Sequence, residues 1–283
     1  MLSHLFRGLA RRQAGPFMRA MSSSGVAADE IDASERTMAH VARRVEAIAP
    51  SLIEGLTTHG HFWADGFLSN EYCEMLRAEA VALYETDPTF VKSQSTRWCP
   101  VENKQIYYDK HNVFSMQLQG GDAYFAAPRL HEYIVAMVKA IVPALQRGFP
   151  EAQLSAKMAS NKLAVCVGNG SAYDKHFDNS GFDDTRKVTI LYYLNPRWSP
   201  ELGGEFRIYK QNSTTIDVAP LGDRLMVFWS DLLVHSVQPS FAPRGKQDHR
   251  YALTLWLTAT TPDAIVRDDA EIAHHFGQAS GDK

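Results

Sequence analysis

The sequence predicts a mainly β protein with supporting helices, its strands forming a jelly roll of two packed sheets. Three observations predict it. From Asn161 onward the apolar stretches are short, aromatic and β-branched, and turn signals recur about every eight to twelve residues, the spacing of an all-β sandwich or barrel. Upstream, three segments carry apolar residues at three- and four-residue steps, the period of a helix face. The composition, 45% hydrophobic and 11% aromatic over 283 residues, supports a sizeable buried core, and single all-β domains reach this length.

Each element has its own justification. Residues 32–49 read as an amphipathic helix with Ser34 as N-cap, Met38, Val41, Val45 and Ile48 on one face, and Pro50 as the stop. Residues 62–68 read as a short strand into a turn. Residues 71–84 then form a helix with Met75, Leu76, Ala80 and Leu83 on its apolar side. Residues 87–121 are loop-rich, punctuated by Asp87-Pro88, Cys99-Pro100 and Gly120-Gly121. Inside them, residues 105–118 alternate as a strand or hairpin whose polar side chains suit a solvated edge better than a lid. A helix over 130–149, with Tyr133, Ile134, Met137, Ile141 and Leu145 on one face, supports the sheet from outside. Strands follow at 161–167, 188–194, 205–209, 214–218, 224–229 and 251–259. The chain thus divides into a targeting segment or tail (1–28), a helical and loop-rich support (29–160), the jelly roll (161–260) and a polar tail (261–283) that starts as a short helix.

Charge and cysteine usage exclude several classes. The formal charge is −3, and the body of the chain has no basic stretch interleaved with aromatics, which argues against a nucleic-acid surface. Three scattered cysteines, Cys73, Cys99 and Cys166, form no disulfide framework and point to a reducing compartment. No apolar run is long enough to span a bilayer. Residues 1–28 contain Arg7, Arg11, Arg12 and Arg19, several Ser and Ala, and no acid. That composition is that of an organelle transit peptide, most simply mitochondrial; the alternative is a cytoplasmic protein with a basic tail or a start at Met21. Without this segment the formal charge falls from −3 to −7.

One stretch carries chemistry. In Tyr173-Asp-Lys-His-Phe-Asp178, His176 and Asp178 stand two positions apart, a spacing that puts both on one face of a strand. His235 lies in Trp229-Ser-Asp-Leu-Leu-Val-His235, and Arg250 opens the apolar run Tyr251-Ala-Leu-Thr-Leu-Trp-Leu-Thr258. Two His and one carboxylate form the facial triad of non-haem Fe(II) oxygenases, which leaves three metal positions open. A downstream Arg can clamp a carboxylate with its planar fork of donors. A lone His-x-Asp arises by chance in a chain with 11 His; the order His-x-Asp, Gly-Gly, Gly-Asp-Arg, His, Arg is far more specific.

The segment resembles the catalytic domain of the Fe(II)- and 2-oxoglutarate-dependent dioxygenases, and most of all the prolyl 4-hydroxylase group that includes the hypoxia-type enzymes. The phrases that carry the resemblance are Thr189-Ile-Leu-Tyr-Tyr-Leu-Asn195, Gly203-Gly-Glu-Phe-Arg-Ile208, Gly222-Asp-Arg-Leu-Met-Val-Phe-Trp-Ser-Asp231 and Arg250-Tyr-Ala-Leu-Thr-Leu-Trp256. It spans roughly residues 162–258 and is thin upstream. It implies that His176, Asp178 and His235 hold Fe(II), that Arg250 and Tyr193 bind the C5 carboxylate of 2-oxoglutarate, and that Thr254, on the Arg250 face, helps. Molecular oxygen is the other co-substrate and ascorbate an expected reductant. Trp256 matches a pocket aromatic, with core packing as the competing explanation, and Arg186 falls near an arginine that contacts substrate.

Arg244 sits nearer the family's spacing from the last His, but it lies in a turn, Ala242-Pro-Arg-Gly-Lys-Gln-Asp248, so a loop insertion before Arg250 is the preferred explanation. Val167 stands where the hypoxia-type enzymes carry a tyrosine near the co-substrate. The expected reaction is 4-hydroxylation of a prolyl residue in a peptide or protein. The acidic body favours a neutral or basic peptide. Hydroxylation of another residue or a small molecule is the alternative enzyme, and a catalytically silent jelly-roll binding module the alternative class.

Overall fold

A single strand, Arg250–Ala259, organises the fold, because both of its faces are buried. The computed structural model describes residues 26–99, 104–120, 122–179, 183–266 and 269–276; the segment expected to be a transit peptide lies outside them as far as residue 25. In chain order the elements are α1 (Val26–His59), β1 (His61–Ala64), α2 (Asn70–Thr86), β2 (Val91–Cys99), β3 (Lys104–Met116), α3 (Asp122–Ala126) and α4 (Pro128–Gly148). There follow β4 (Leu154–Cys166), β5 (Ser171–His176), β6 (Arg186–Tyr193), β7 (Phe206–Tyr209), β8 (Thr215–Val218), β9 (Leu225–Trp229), β10 (His235–Ser240), β11 (Arg250–Ala259) and α5 (Asp269–Phe276). The larger sheet has the order β1-β9-β6-β11-β4-β3-β2 and the smaller β5-β10-β7-β8. All pairings are antiparallel. The larger sheet draws strands from both sides of residue 160.

Strand parity builds two cores. On β11, Tyr251, Leu253, Leu255 and Leu257 point to the helical layer, where they meet Val188, Ile190 and Tyr192 of β6 and the apolar faces of α1, α2 and α4. The alternate residues point into the space between the sheets, where Leu191, Tyr193, Phe206, Ile208, Met226, Phe228 and Ala252 form a smaller core. Removing a side chain such as Leu253, fully buried, costs about 2–5 kcal/mol. A one-residue slip of β11 would turn its polar set onto the helices, so burial itself sets the register.

Three elements differ from the sequence expectation. Pro50 does not end α1, which continues to His59. The buried stripe Val41, Val45, Ala49, Leu52, Leu56 runs straight through it, and that burial outweighs the roughly 3 kcal/mol a helix-interior proline costs. On α2 the buried residues are Cys73, Leu76, Arg77, Glu79, Ala80 and Leu83, whereas Met75 is 40% exposed. The loop-rich stretch holds a long hairpin, β2 paired with β3. Of the two, only β2 is at the sheet's edge; β3, expected as a solvated edge, lies between β2 and β4. Its Tyr108 and Lys110 face Asp174 and Tyr173 of β5, so the polar residues that made the stretch read as loop partly line the site. Ser69 caps α2 by accepting from the Tyr72 amide at 3.1 Å. Glu79 of α2 caps α4 in turn, accepting from the Arg129 and Leu130 amides at 3.2 and 2.9 Å. No described helix is long and apolar enough to cross a membrane.

Candidate active site

The antiparallel pairing of β5 with β10 sets His176 directly opposite His235, with ring centroids 4.3 Å apart. Asp178 lies in a bend beyond the end of β5, not on the strand, so the turn of the chain rather than strand alternation brings it back to the two imidazoles. Its Oδ1 lies 3.4 Å from His176 Nε2 and 3.7 Å from His235 Nε2. One donor atom from each of the three residues lies within 4.8 Å of the others.

The surroundings prepare these donors. His176 Nδ1 lies 2.7 Å from the Asp174 carbonyl and His235 Nδ1 3.0 Å from the Leu233 carbonyl. A carbonyl only accepts, so each Nδ1 carries a proton and each Nε2 is the ring nitrogen turned toward Asp178. Burial, reinforced by His176, draws His235 down to about 3, which keeps it neutral near pH 7. Burial alone would raise Asp178, but the two imidazoles and the Thr189 hydroxyl outweigh it and hold the carboxyl well below its ordinary value. The Asp178 Oδ2 accepts from Thr189 Oγ1 at 2.7 Å and from Trp256 Nε1 at 3.2 Å. Those two donors turn Oδ1 toward the histidines. Two imidazoles and an oriented carboxylate are a donor set that suits a divalent transition metal.

Parity on β11 puts Arg250, Ala252, Thr254 and Trp256 along the same cavity as the triad. Arg250 is 5% exposed; its Nε donates to the Gly204 carbonyl at 2.8 Å, and its guanidinium carbon lies 5.2 Å from the centre of the Tyr193 ring. The Gly203-Gly204 pair makes room for it. A Cβ on Gly204 would sit 2.7 Å from Arg250 Cδ, and one on Gly203 2.2 Å from the Pro239 carbonyl oxygen; both glycines have positive φ. The Tyr193 hydroxyl is buried with no acceptor for its proton, and burial pushes this phenol up to about 12. Thr254, 6% exposed, lines the cavity one turn of the pleat further on.

Arg244 lies elsewhere. It stands in the exposed turn and pairs with Asp248 at 2.6 Å. Val167 packs toward the helix-side core, and Cys166, its neighbour, is the residue opposite Arg250 in the register.

Sequence reasoning missed several residues around the site. Arg77 of α2 is buried and donates to the carbonyls of Leu194, Gln247 and His249 at 2.6, 3.0 and 2.9 Å, tying together the two loops that flank Arg250. Thr189 holds Asp178. Lys162, opposite Thr254 in the register, lines the cavity, and Lys110 on β3 lies over the Tyr173 ring. The only sequence signal for Lys162 was its parity with Ala164 and Cys166.

A jelly roll with two histidines and a carboxylate gathered at one end, and a buried arginine reached from the same strand face, defines the architecture of a non-haem iron oxygenase. Residues 162–258 match the family model described as the 2OG-Fe(II) oxygenase superfamily. The chain is 43% identical over 104 residues to human (Homo sapiens) prolyl hydroxylase EGLN3, covering 35% of this chain and 41% of that protein. It is 30% identical over 222 residues to the hypoxia-inducible factor prolyl hydroxylase of Caenorhabditis elegans, covering 75% of this chain and 28% of that one. The chain therefore spans less than half the length of these curated relatives. A Trichoplax adhaerens prolyl hydroxylase, solved in complex with a hypoxia-inducible factor peptide fragment, shares the fold with a TM-score of 0.65, 24% identity and coverage of 80% and 96% of the two chains.

Proposed function

We propose that this chain is an Fe(II)- and 2-oxoglutarate-dependent dioxygenase that 4-hydroxylates a prolyl residue in a peptide or protein. The observation that carries the reading is the coincidence, on one cavity, of three convergent metal-type donors and a buried arginine beside an unpartnered tyrosine hydroxyl. A bound dicarboxylate would give the Tyr193 proton its acceptor and the Arg250 fork its charge. That orphaned hydroxyl, the two convergent imidazoles and the ionised Asp178 fit the iron and 2-oxoglutarate that this superfamily uses.

In this reading His176 Nε2, Asp178 Oδ1 and His235 Nε2 hold Fe(II). With 2-oxoglutarate and molecular oxygen, the metal supplies the oxidising power that places one oxygen atom on the substrate carbon and the other in succinate, with release of carbon dioxide. The chain's own residues do the rest. Arg250 and Tyr193 grip the far carboxylate, and Thr254 offers a hydroxyl alongside. Thr189 and Trp256 keep Asp178 from rotating. Leu191, Phe206, Phe228 and Val237 wall the cavity with apolar surface, which excludes water and strengthens each charge interaction inside. Ascorbate would serve as the accompanying reductant.

A proline-bearing segment is already close to polyproline II and enters a groove with little ordering cost. Incubation of peptide pools with enzyme, Fe(II), ascorbate and 2-oxoglutarate, followed by mass spectrometry, tests the reading: a gain of one oxygen on proline supports it, and oxygen found only on other residues overturns it. We also propose a mitochondrial address carried by residues 1–28. A reporter fused to them should enter the organelle; a cytoplasmic reporter refutes the address.

A further inference from the structure

The cavity has a second cationic pole that the proposed reaction does not use. Lys110 Nζ stands 4.1 Å and Lys162 Nζ 5.5 Å from the centre of the Tyr173 ring. Lys162 Nζ also lies 5.3 Å from the centre of the Trp256 ring, and the Arg186 guanidinium carbon 5.5 Å from the same ring. Arg186 is neutralised by Asp184 through paired contacts at 3.0 Å to its Nε. The two lysines have no such partner: among the described residues, no carboxylate lies within ion-pair distance of either. The nearby acids are engaged, Asp174 by the Tyr108 hydroxyl at 2.6 Å and Asp178 by Thr189, Trp256 and the two histidines.

Position separates this pole from the Arg250 end. On β4, Lys162 pairs with Thr254, four residues from the Cys166–Arg250 pair, or about 13 Å along the strand. Lys162 and Trp256 line both the active-site cavity and an outer groove of about 470 Å³ that runs past Val91 and Gln117. They therefore mark the mouth, where substrate enters. Holding two ammonium groups against one ring, partly out of water, is unfavourable. Burial, then Lys162, draws Lys110 down to about 7, and burial draws Lys162 down as well. A bound anion would offset that cost.

We propose that Lys162 and Lys110 bind a side-chain carboxylate of the substrate, so that the peptide acted on carries Asp or Glu next to the residue that is oxidised. The inference rests on the reading of this cavity as the substrate site of a prolyl hydroxylase. It also reverses the expectation from net charge: the body is acidic, yet the mouth presents positive charge, and local charge governs what docks there.

The test is binding, with oxidation read in parallel. Labelled, end-capped proline peptides with Asp or with Asn immediately before or after the proline are titrated anaerobically into the full chain loaded with Fe(II) and 2-oxoglutarate, and fluorescence anisotropy is followed. One Asp peptide should bind at least about tenfold tighter than its Asn twin at low salt, and the advantage should shrink as salt rises. Lys162→Met should erase the preference, and Lys162→Arg, which keeps the charge, should retain it; binding of 2-oxoglutarate at the Arg250 end verifies that each variant is folded. Equal binding of both twins, absence of binding by any of the peptides, or a preference that survives Lys162→Met combined with Lys110→Met overturns the inference. Equal binding with oxygen gained on proline sinks only this inference. A charge preference with no oxygen on proline supports it and sinks the prolyl reading instead.

Discussion

At the scale of single residues, the site depends on side chains that touch neither metal nor co-substrate. Thr189 and Trp256 both donate to Asp178 Oδ2. Thr189→Val keeps the shape and removes one donor, so Fe(II) affinity should fall about 10- to 100-fold, measured by anaerobic titration, while the thermal unfolding midpoint changes little. The two arginines give a sharper contrast. Arg250→Ala removes a buried cation and should weaken 2-oxoglutarate binding by several kcal/mol, whereas Arg244→Ala removes an exposed guanidinium that pairs with Asp248 outside the cavity and should leave it nearly unchanged. A crippled Arg244→Ala enzyme would show that the wrong arginine has been placed at the co-substrate. The gathering of His176, Asp178 and His235 was legible from local motifs, and alternation on β11 puts Arg250 and Thr254 on one face, whereas Tyr193, on β6, was singled out only by the resemblance. Lys110, Arg77 and the role of Thr189 were not legible, because each acts on a partner brought near only by the folded sheets. Arg77 reaches His249 across 172 positions, and no spacing rule carries that distance. The convergence of Asp178 was anticipated for an incomplete reason, since it sits past the strand rather than on it.

At the scale of elements, the strands buried on both faces read most clearly, because β6, β9 and β11 are nearly continuous runs of apolar, aromatic and β-branched residues. The β2–β3 hairpin did not, since the edge strand β2 tolerates polar residues and β3 turns Tyr108 and Lys110 toward β5, and α1 outran its expected end because tertiary burial overrode Pro50. The edge strand β1 also carries a titration. His61 is 6% exposed with its Nδ1 unpartnered, and burial, with His59 and Lys210 adding to it, draws it down to about 4 from an ordinary 6.5. Between those values the unfolded chain binds the proton and the folded chain does not. Stability from this group is therefore complete above about pH 6.5 and is lost as pH falls toward 4, at about 1.4 kcal/mol per pH unit at most. Urea unfolding at pH 7 and pH 5 should show wild type losing more stability than His61→Phe, which keeps the ring between His59 and Trp63. Equal losses would mean that another group carries the pH dependence. Arg77→Met should destabilise by several kcal/mol, since it strands buried carbonyls, and should loosen 2-oxoglutarate binding through the loop before Arg250; chemical denaturation and co-substrate titration read the two effects separately.

At the scale of the whole molecule, the two sheets divide the work. The larger sheet, braced by α1, α2 and α4, is a rigid wall that delivers Arg250, Tyr193, Thr254, Thr189 and Trp256, while the smaller sheet delivers the two histidines. The cavity exists only where the sheets face each other, which is why core residues such as Phe206 and Phe228 are also its walls. The central claim is that this junction is an iron and 2-oxoglutarate site, and equilibrium dialysis under anaerobic conditions tests it most directly. Wild type should take up one Fe(II) per chain and then one 2-oxoglutarate, with the second uptake dependent on the first. His235→Ala should lose both while keeping its circular dichroism and unfolding transition. Stoichiometric iron retained by a folded His235→Ala protein would contradict the account.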